Sequence, residues 1–504
     1  MVPPTRIDGY RCVQSAAAPS AAGGAEGGSE LLQEADCAAL GGTRRLLRGG
    51  KVPGIQSAIG NRACAPAGQI GCLPKGCGAG GGEDFSSRGC GGAWHSKRPE
   101  KMTKAIHVGG RPVWAEISLQ AILHNLKVIR EHVNRGAAKG HRRMILAVVK
   151  SNAYGLGAAP ISKALEKAGT EWFGVTCANE GVELRESGIR RRILVLTGFW
   201  PGEEKRLIEN QLTPTVTRVD DLRHLERAAK SFLGKAAGRK SGGNKSRRVP
   251  FHLKINTGMN RLGISPAEVE AFARALTECR HIELEGTFTH FASAEDFIGG
   301  QTVTQEELFR GCLERLRALG VAPGIVHIAN SGAICARPET WADMVRPGAI
   351  LYGYHQRFDP PEKRAEVMAE MALEACLALR ARIISLREVP PGEAVGYAAR
   401  FITERPSKIA VINAGYADGV VRARTNRGCA LVRERRVPLV GTISMDLTTL
   451  DVTDVPGVAL GDVVTIYGKD GKAAIEVSDV APEIGTVTSD LLCALGRRVP
   501  KYYV

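Results

Sequence analysis

Between residues 140 and 355 the chain alternates short apolar runs with amphipathic stretches, and this rhythm restricts the fold more than any other feature. The runs cover 145–149, 172–176, 193–197, 213–216, 251–255, 285–291, 325–329 and 344–350, eight in all. Between them, segments such as "PISKALEKAG" (160–169), "VDDLRHLERAAKSF" (219–232) and "PAEVEAFARALTECR" (266–280) place apolar residues at helical spacing. Strands joined through helices pair in parallel and are covered on both faces. Eight such units in about 215 residues match an α/β fold of the (β/α)₈ TIM-like barrel type in number and size.

After about residue 370 the period changes to strand-like runs, "ALRARIISLREV", "IAVINAGYADGV" and "GDVVTIYG" among them, broken by "PPGEA" and "GKDGK". This reads as a mostly antiparallel β domain. The expected division is a barrel over 111–370 and a β domain over 371–504. The first 100 residues differ from both, with 21 of the glycines and 6 of the 13 cysteines and no apolar periodicity. Residues 1–104 are therefore expected to be a disordered extension, and a start at Met102 would explain them.

The cysteines have no spacing of a zinc site or a disulfide framework, so no metal is expected and a reducing compartment fits. Net charge is +16, but the basic runs at 190–192, 245–248 and 433–436 carry no interleaved aromatics. They read as solvated surface, and no nucleic-acid partner is expected. There is no signal-peptide core and no run of about 18 apolar residues, which points to a cytoplasmic protein with no membrane partner.

The first barrel run, in "ILAVVKSNAYGLGA" (145–158), ends on Lys150. Strand ends of such a barrel face the active site. A partly desolvated lysine there loses proton affinity, and its neutral amine can form a Schiff base with an aldehyde. Asn330 and Ser331 follow the seventh run, and Arg346, Gly348 and Ala349 lie in the eighth, where barrel enzymes commonly bind a phosphate. A phosphate site opposite a lysine suggests pyridoxal 5′-phosphate.

The stretches "AVVKSNAYGLG", "KINTGMNRLGI", "THFASAE", "HIANSGA", "DMVRPGAILYG", "VGYAARF", "INAGYADGV" and "VGTISMD" resemble, in order, the signature stretches of the alanine racemases, over about 111–504. The resemblance implies a PLP-dependent racemase that interconverts L- and D-alanine for peptidoglycan by a two-base mechanism, as a homodimer with shared sites. It implies that Lys150 binds the cofactor and serves as one base, and that Tyr397, reaching a partner subunit, is the other. It assigns Arg346 to the pyridine nitrogen and His290 to a link between that arginine and the tyrosine. Tyr154, Ser331, Gly348 and Ala349 are assigned to the phosphate. Arg261 would steer the substrate carboxylate, Met445, Asp446 and Tyr416 would bound the substrate pocket, and Lys254 corresponds to a lysine carbamylated in several members. Ser151 and Leu156 depart from the usual pattern, and Arg497 is a further candidate for a phosphate contact. The alternatives are a racemase of serine or larger amino acids and a non-catalytic PLP-binding barrel. The "VGYAARF" and "TISMD" stretches argue against the second, because those barrels lack a β domain.

Overall fold

The computed structural model describes residues 110–136, 142–237 and 248–504, so the extension expected over 1–104 lies outside the described residues. The first strand, β1 (Val113–Ile117), is followed by eight short parallel strands: β2 (Met144–Val148), β3 (Trp172–Val175), β4 (Arg192–Val195), β5 (Thr215–Val216), β6 (Val249–Lys254), β7 (Ile282–Phe288), β8 (Ile325–His327) and β9 (Met344–Val345). They form two sheets, ordered β4-β3-β2-β9 and β5-β6-β7-β8. A parallel bridge between Leu194 and Thr213 joins the sheets on one side. On the other, Asp343 N–H donates to Val326 O at 3.1 Å and Arg346 N–H to Ala329 O at 3.0 Å. The two sheets, linked by these contacts, give the expected (β/α)₈ barrel fold.

Alternation along the strands separates two apolar layers. Ile145, Ala147, Phe173, Ile193 and Val195 join the large core shared with the helices, whereas Leu146, Val148, Trp172, Leu194 and Met344 form a separate cluster inside the barrel. The run expected over 344–350 stops at Val345, because Pro347 supplies no ladder donor and the chain turns into a 3₁₀ helix at Ala349–Tyr352.

The C-terminal region is built on β10 (Leu377–Val389), a 13-residue strand. Then come β11 (Ala394–Val395), β12 (Phe401–Ile402), β13 (Ser407–Ile412), β14 (Cys429–Val432), β15 (Arg435–Pro438), β16 (Thr448–Asp451), β17 (Val463–Asp470), β18 (Ala473–Ile475) and β19 (Lys501–Tyr503). Strand β10 pairs antiparallel with β13, β17 and also β1. Strand β1 in turn pairs in parallel with β19. Residues 113–117, within the stretch expected to form the barrel, are therefore hydrogen bonded to the C-terminal sheet. Two short helices, Val477–Glu483 and Thr488–Cys493, interrupt what the sequence suggested was β structure. No helix among the described residues is long and apolar enough to cross a membrane.

Candidate active site

A cavity of about 390 Å³ opens at the C-terminal ends of the barrel strands. Its wall includes Lys150, Tyr154, Lys254, Arg261, His290, Ser331, Arg346, Gly348 and Ala349, nine of the residues singled out in the sequence. Topology explains the convergence: these positions follow or end β2, β6, β7, β8 and β9, and parallel strands put all such ends on one face.

Lys150 begins an unusual turn. Ser151, Asn152, Ala153 and Tyr154 all have φ between 53° and 56°, a left-handed conformation that costs about 1–2 kcal/mol per residue for L-amino acids. The surroundings hold it in place. Glu180 Oε1 accepts from Ser151 N–H at 2.6 Å, and Asn152 Oδ1 accepts from Ala158 N–H at 2.8 Å. Tyr503 Oη donates to Leu156 O at 3.0 Å, and a Cβ on Gly157, whose φ is +109°, would fall 1.8 Å from that same oxygen. Strand β19 and the Thr488–Cys493 helix thus brace the lysine loop, which presents Lys150 and Tyr154 to the cavity. Strain held by over-determining contacts is characteristic of functional loops.

Across the cavity, Ser331 Oγ accepts from Gly348 N–H at 2.9 Å, and Asn330 Oδ1 caps the Ser331–Ala336 helix at Ala333 N–H. A Cβ on Gly348 would lie 2.6 Å from Tyr154 Oη and 3.6 Å from Ser331 Oγ. The Tyr154 hydroxyl therefore packs where only glycine lets it, and two hydroxyls gather beside Gly348 on the cavity wall. Burial raises the Tyr154 phenol to about 12, so it remains a donor at neutral pH. Gly348→Ala is expected to weaken retention of a phosphate-bearing ligand by about tenfold or more, through displacement of Tyr154. Equilibrium dialysis checks this, and unchanged affinity would contradict the cradle.

Arg346 is buried with both terminal nitrogens of its guanidinium hydrogen bonded. Nη2 donates to Thr289 O at 2.8 Å, Ile328 O at 3.0 Å and His290 Nδ1 at 3.1 Å, while Nη1 donates to His327 Nδ1 at 3.1 Å. Burial lowers its pKa to about 9, still above neutrality, so it keeps its charge. His290 is driven well below the usual imidazole range by burial and then by the cations Arg346, Lys254, Arg261 and Lys150. It is neutral, and since Nδ1 accepts from the arginine its proton is on Nε2. Lys254 lies over the Phe288 ring at 5.4 Å and is lowered to about 8, first by burial and then by Arg346, Arg261 and Lys150. Four cations face one another around a single small cavity, which suits an anionic ligand.

The other candidates lie elsewhere. Tyr397 is 72% exposed, Met445 52% and Tyr416 40%, and none of them lines the cavity. They are nonetheless connected through one segment: Thr442 Oγ1 donates to Tyr397 O at 2.9 Å, Tyr416 N–H to Ser444 O at 3.0 Å and Ala417 N–H to Met445 O at 3.1 Å. Asp446 Oδ1 accepts from Arg498 Nη2 at 2.5 Å. Arg497 is exposed and away from the cavity, whereas Ser489, from the Thr488–Cys493 helix, lines it. Ser489, Gln356 and Glu295 escaped the sequence reading; Ser489 stands in a stretch with no apolar rhythm or motif to mark it.

Two family models match the chain: "Alanine racemase, N-terminal domain" over residues 117–356 and "Alanine racemase, C-terminal domain" over 376–503. A curated alanine racemase from Halothermothrix orenii is 36% identical over 393 residues, 78% of this chain and 97% of the relative. Among solved structures, an alanine racemase of Clostridium difficile superposes with a TM-score of 0.69 at 30% identity, over 79% of this chain and 97% of that one. Another, from Bartonella henselae "with covalently bound pyridoxal phosphate", gives 0.67 at 28% identity, over 78% and 100%.

Proposed function

This chain belongs to the alanine racemase family, and from that premise we propose that it interconverts L- and D-alanine with pyridoxal 5′-phosphate held in the barrel cavity. The observation that carries the reading is that Lys150 and the Gly348–Ser331–Tyr154 cradle line one cavity rimmed by cations. These residues fit the cofactor. Gly348 lets the Tyr154 and Ser331 hydroxyls gather on the cavity wall, which suits a phosphate, and the Lys150 amine suits an aldehyde.

When bound, pyridoxal 5′-phosphate supplies an electron sink that acidifies the Cα–H of an amino acid joined to it. The protein supplies the rest. Lys150 takes or returns a proton on one face of Cα, and Tyr397 of the partner subunit does so on the other. Arg346 would hold the pyridine nitrogen by a hydrogen bond while keeping its own proton, which would restrain the electron sink and limit side reactions. His290, neutral and tied to Arg346, links that cation to the tyrosine. Arg261 orients the substrate carboxylate, and Met445, Asp446 and Tyr416 close the substrate pocket from the partner side.

A homodimer accounts for the outlying residues. Tyr397, Ile402, Tyr416, Met445 and Leu447 are exposed apolar or aromatic side chains of the C-terminal region, and a second copy would cover them while delivering Tyr397 to a cavity. D-Alanine supply for peptidoglycan in the cytoplasm is the corresponding biological role. The test is borohydride reduction of the PLP-loaded protein followed by peptide mapping. A phosphopyridoxyl group on Lys150 is expected, and a label on another lysine would overturn the assignment.

Lys254 gives a prediction with a definite sign. Its folded value of about 8 lies below the ordinary 10.5, so between those values the unfolded chain holds a proton that the folded chain lacks. Stability contributed by this group therefore rises with pH across that window, and below about 8 the full cost of the buried ammonium is present. In carbon dioxide-free buffer, Lys254→Met is expected to be stabilising near neutrality, with an advantage that shrinks from about pH 8 to 10 in urea melts. A pH-independent difference would contradict it. With bicarbonate present, the neutral amine fraction permits carbamylation, which ¹³C-labelled bicarbonate would reveal as a carbamate resonance.

A further inference from the structure

Arg346 is also the first member of a buried chain that leads away from the cavity. Its Nη1 lies 3.1 Å from His327 Nδ1, and His327 Nε2 lies 2.9 Å from His252 Nδ1. His252 Nε2 lies 3.6 Å from Glu285 Oε2, and both Glu285 oxygens are held by Arg192 Nη2. Arg192 is the first residue of β4 and stacks over the Trp172 ring at 4.7 Å, so the chain ends at the opposite mouth of the barrel. Both imidazoles are wholly buried.

The polarity of this chain follows from one fact: a guanidinium has donors and no acceptor. His327 Nδ1 must therefore be a lone pair, which puts its proton on Nε2. That proton is donated to His252 Nδ1, so the proton of His252 is on Nε2 and faces Glu285. Both imidazoles are thereby neutral, in agreement with burial, which lowers the pKa of each. Every N–H from Arg346 onward points the same way, and the last of them faces the Glu285 carboxylate at 3.6 Å, a charge contact rather than a hydrogen bond.

Two backbone features are fitted to this arrangement. The β6–β7 ladder pairs Phe251 with Leu284 and His252 with Gly286, leaving Glu285 as the extra residue of a bulge. Bulges in parallel pairs are rare, and they re-aim side chains. This one gives Glu285 its approach to His252 from within the barrel end. A Cβ on Gly286 would lie 2.6 Å from His252 Cε1 and 2.8 Å from its Nδ1, so the glycine makes the space in which His252 lies.

We propose that Glu285 is a remote positioning residue: acting through His252 and His327, it fixes the tautomers that accept from Arg346 and so holds the guanidinium in its orientation towards the cavity. His252 Nε2 is buried without a hydrogen-bond partner, so the facing carboxylate is what favours a proton on it, and removing that charge leaves the full cost of the buried N–H. Reversing both tautomers relieves it, but His327 Nδ1–H then meets an arginine N–H and the fork loses one of its anchors. The proposal rests on the proposed function only for its kinetic consequence.

Neutron crystallography of the perdeuterated holoenzyme reads the ring protons directly. The expected result is deuterium on Nε2 alone in both His327 and His252; deuterium on Nδ1 of either overturns the proposal, whatever reaction the protein catalyses. The kinetic arm compares Glu285→Leu with Glu285→Gln, whose amide oxygen still presents a partial negative charge to His252 Nε2. Glu285→Leu is expected to lower kcat by on the order of tenfold with KM for alanine nearly unchanged, and Glu285→Gln to restore most of that loss. Equal losses in both variants, or a fall expressed only in KM, would overturn it. Absence of racemisation in the wild type would defeat the proposed function and leave the neutron result standing.

Discussion

Lys150→Ala is expected to lose the visible absorption band of the bound cofactor and to lower kcat/KM by on the order of 10⁴-fold. Loss of a positioned acid or base costs about 10²–10⁴-fold, and this lysine serves as the cofactor anchor as well. The fold should survive. Lys150 is only partly buried, and the turn that follows it is held by hydrogen bonds of Glu180, Asn152 and Tyr503 that do not use the lysine amine. Spectra and thermal melts of the same preparation separate the two effects. An unchanged visible band would remove Lys150 from the site.

Tyr397→Phe is expected to keep the cofactor spectrum and lose about 10²–10⁴-fold in racemisation, while one enantiomer still exchanges its Cα proton with solvent. The side chain is 72% exposed and does not line the barrel cavity of its own chain, so removal of its hydroxyl leaves the fold untouched. Shared sites sharpen the test. In a dimer of one Lys150→Ala subunit and one Tyr397→Phe subunit, one site combines both lesions and the other is intact. Co-expression at equal levels should therefore recover about one quarter of wild-type activity, since half the dimers are mixed and each has one working site of two. Recovery of none would mean that Tyr397 acts within its own subunit or not at all.

These expectations show what the sequence carried and what it did not. The barrel was legible because each of its strands is an apolar run bounded by helical spacing, and because parallel pairing forces the strand ends onto one face. Lys150, Ser331 and Arg346 were readable as one site for that reason, and Lys254 and His290 joined them through the family resemblance. The left-handed turn at Ser151–Tyr154 was not legible, since only Gly155 and Gly157 of that loop announce unusual backbone and the four residues before Gly155 are ordinary L-amino acids.

The pairing of β1 with β10 and β19 was equally hidden. Residues 113–117 are near the start of the described chain and β19 at its end, and periodicity has no memory over that separation. Ser489 depends on the same long-range packing, which brings a C-terminal helix against the lysine loop. The Glu285–His252–His327 chain was invisible for a different reason. Each residue alone reads as a polar interruption of an apolar strand, and only the bulge in β7 turns the glutamate towards the imidazoles.

The most direct test of the central claim is incubation of the PLP-supplied protein with L-alanine in D₂O, followed by chiral separation and mass analysis of both enantiomers. The account predicts D-alanine carrying deuterium at Cα, which requires proton removal on one face and delivery on the other. Deuterium in L-alanine without any D-alanine would contradict it, leaving Lys150 as the only base.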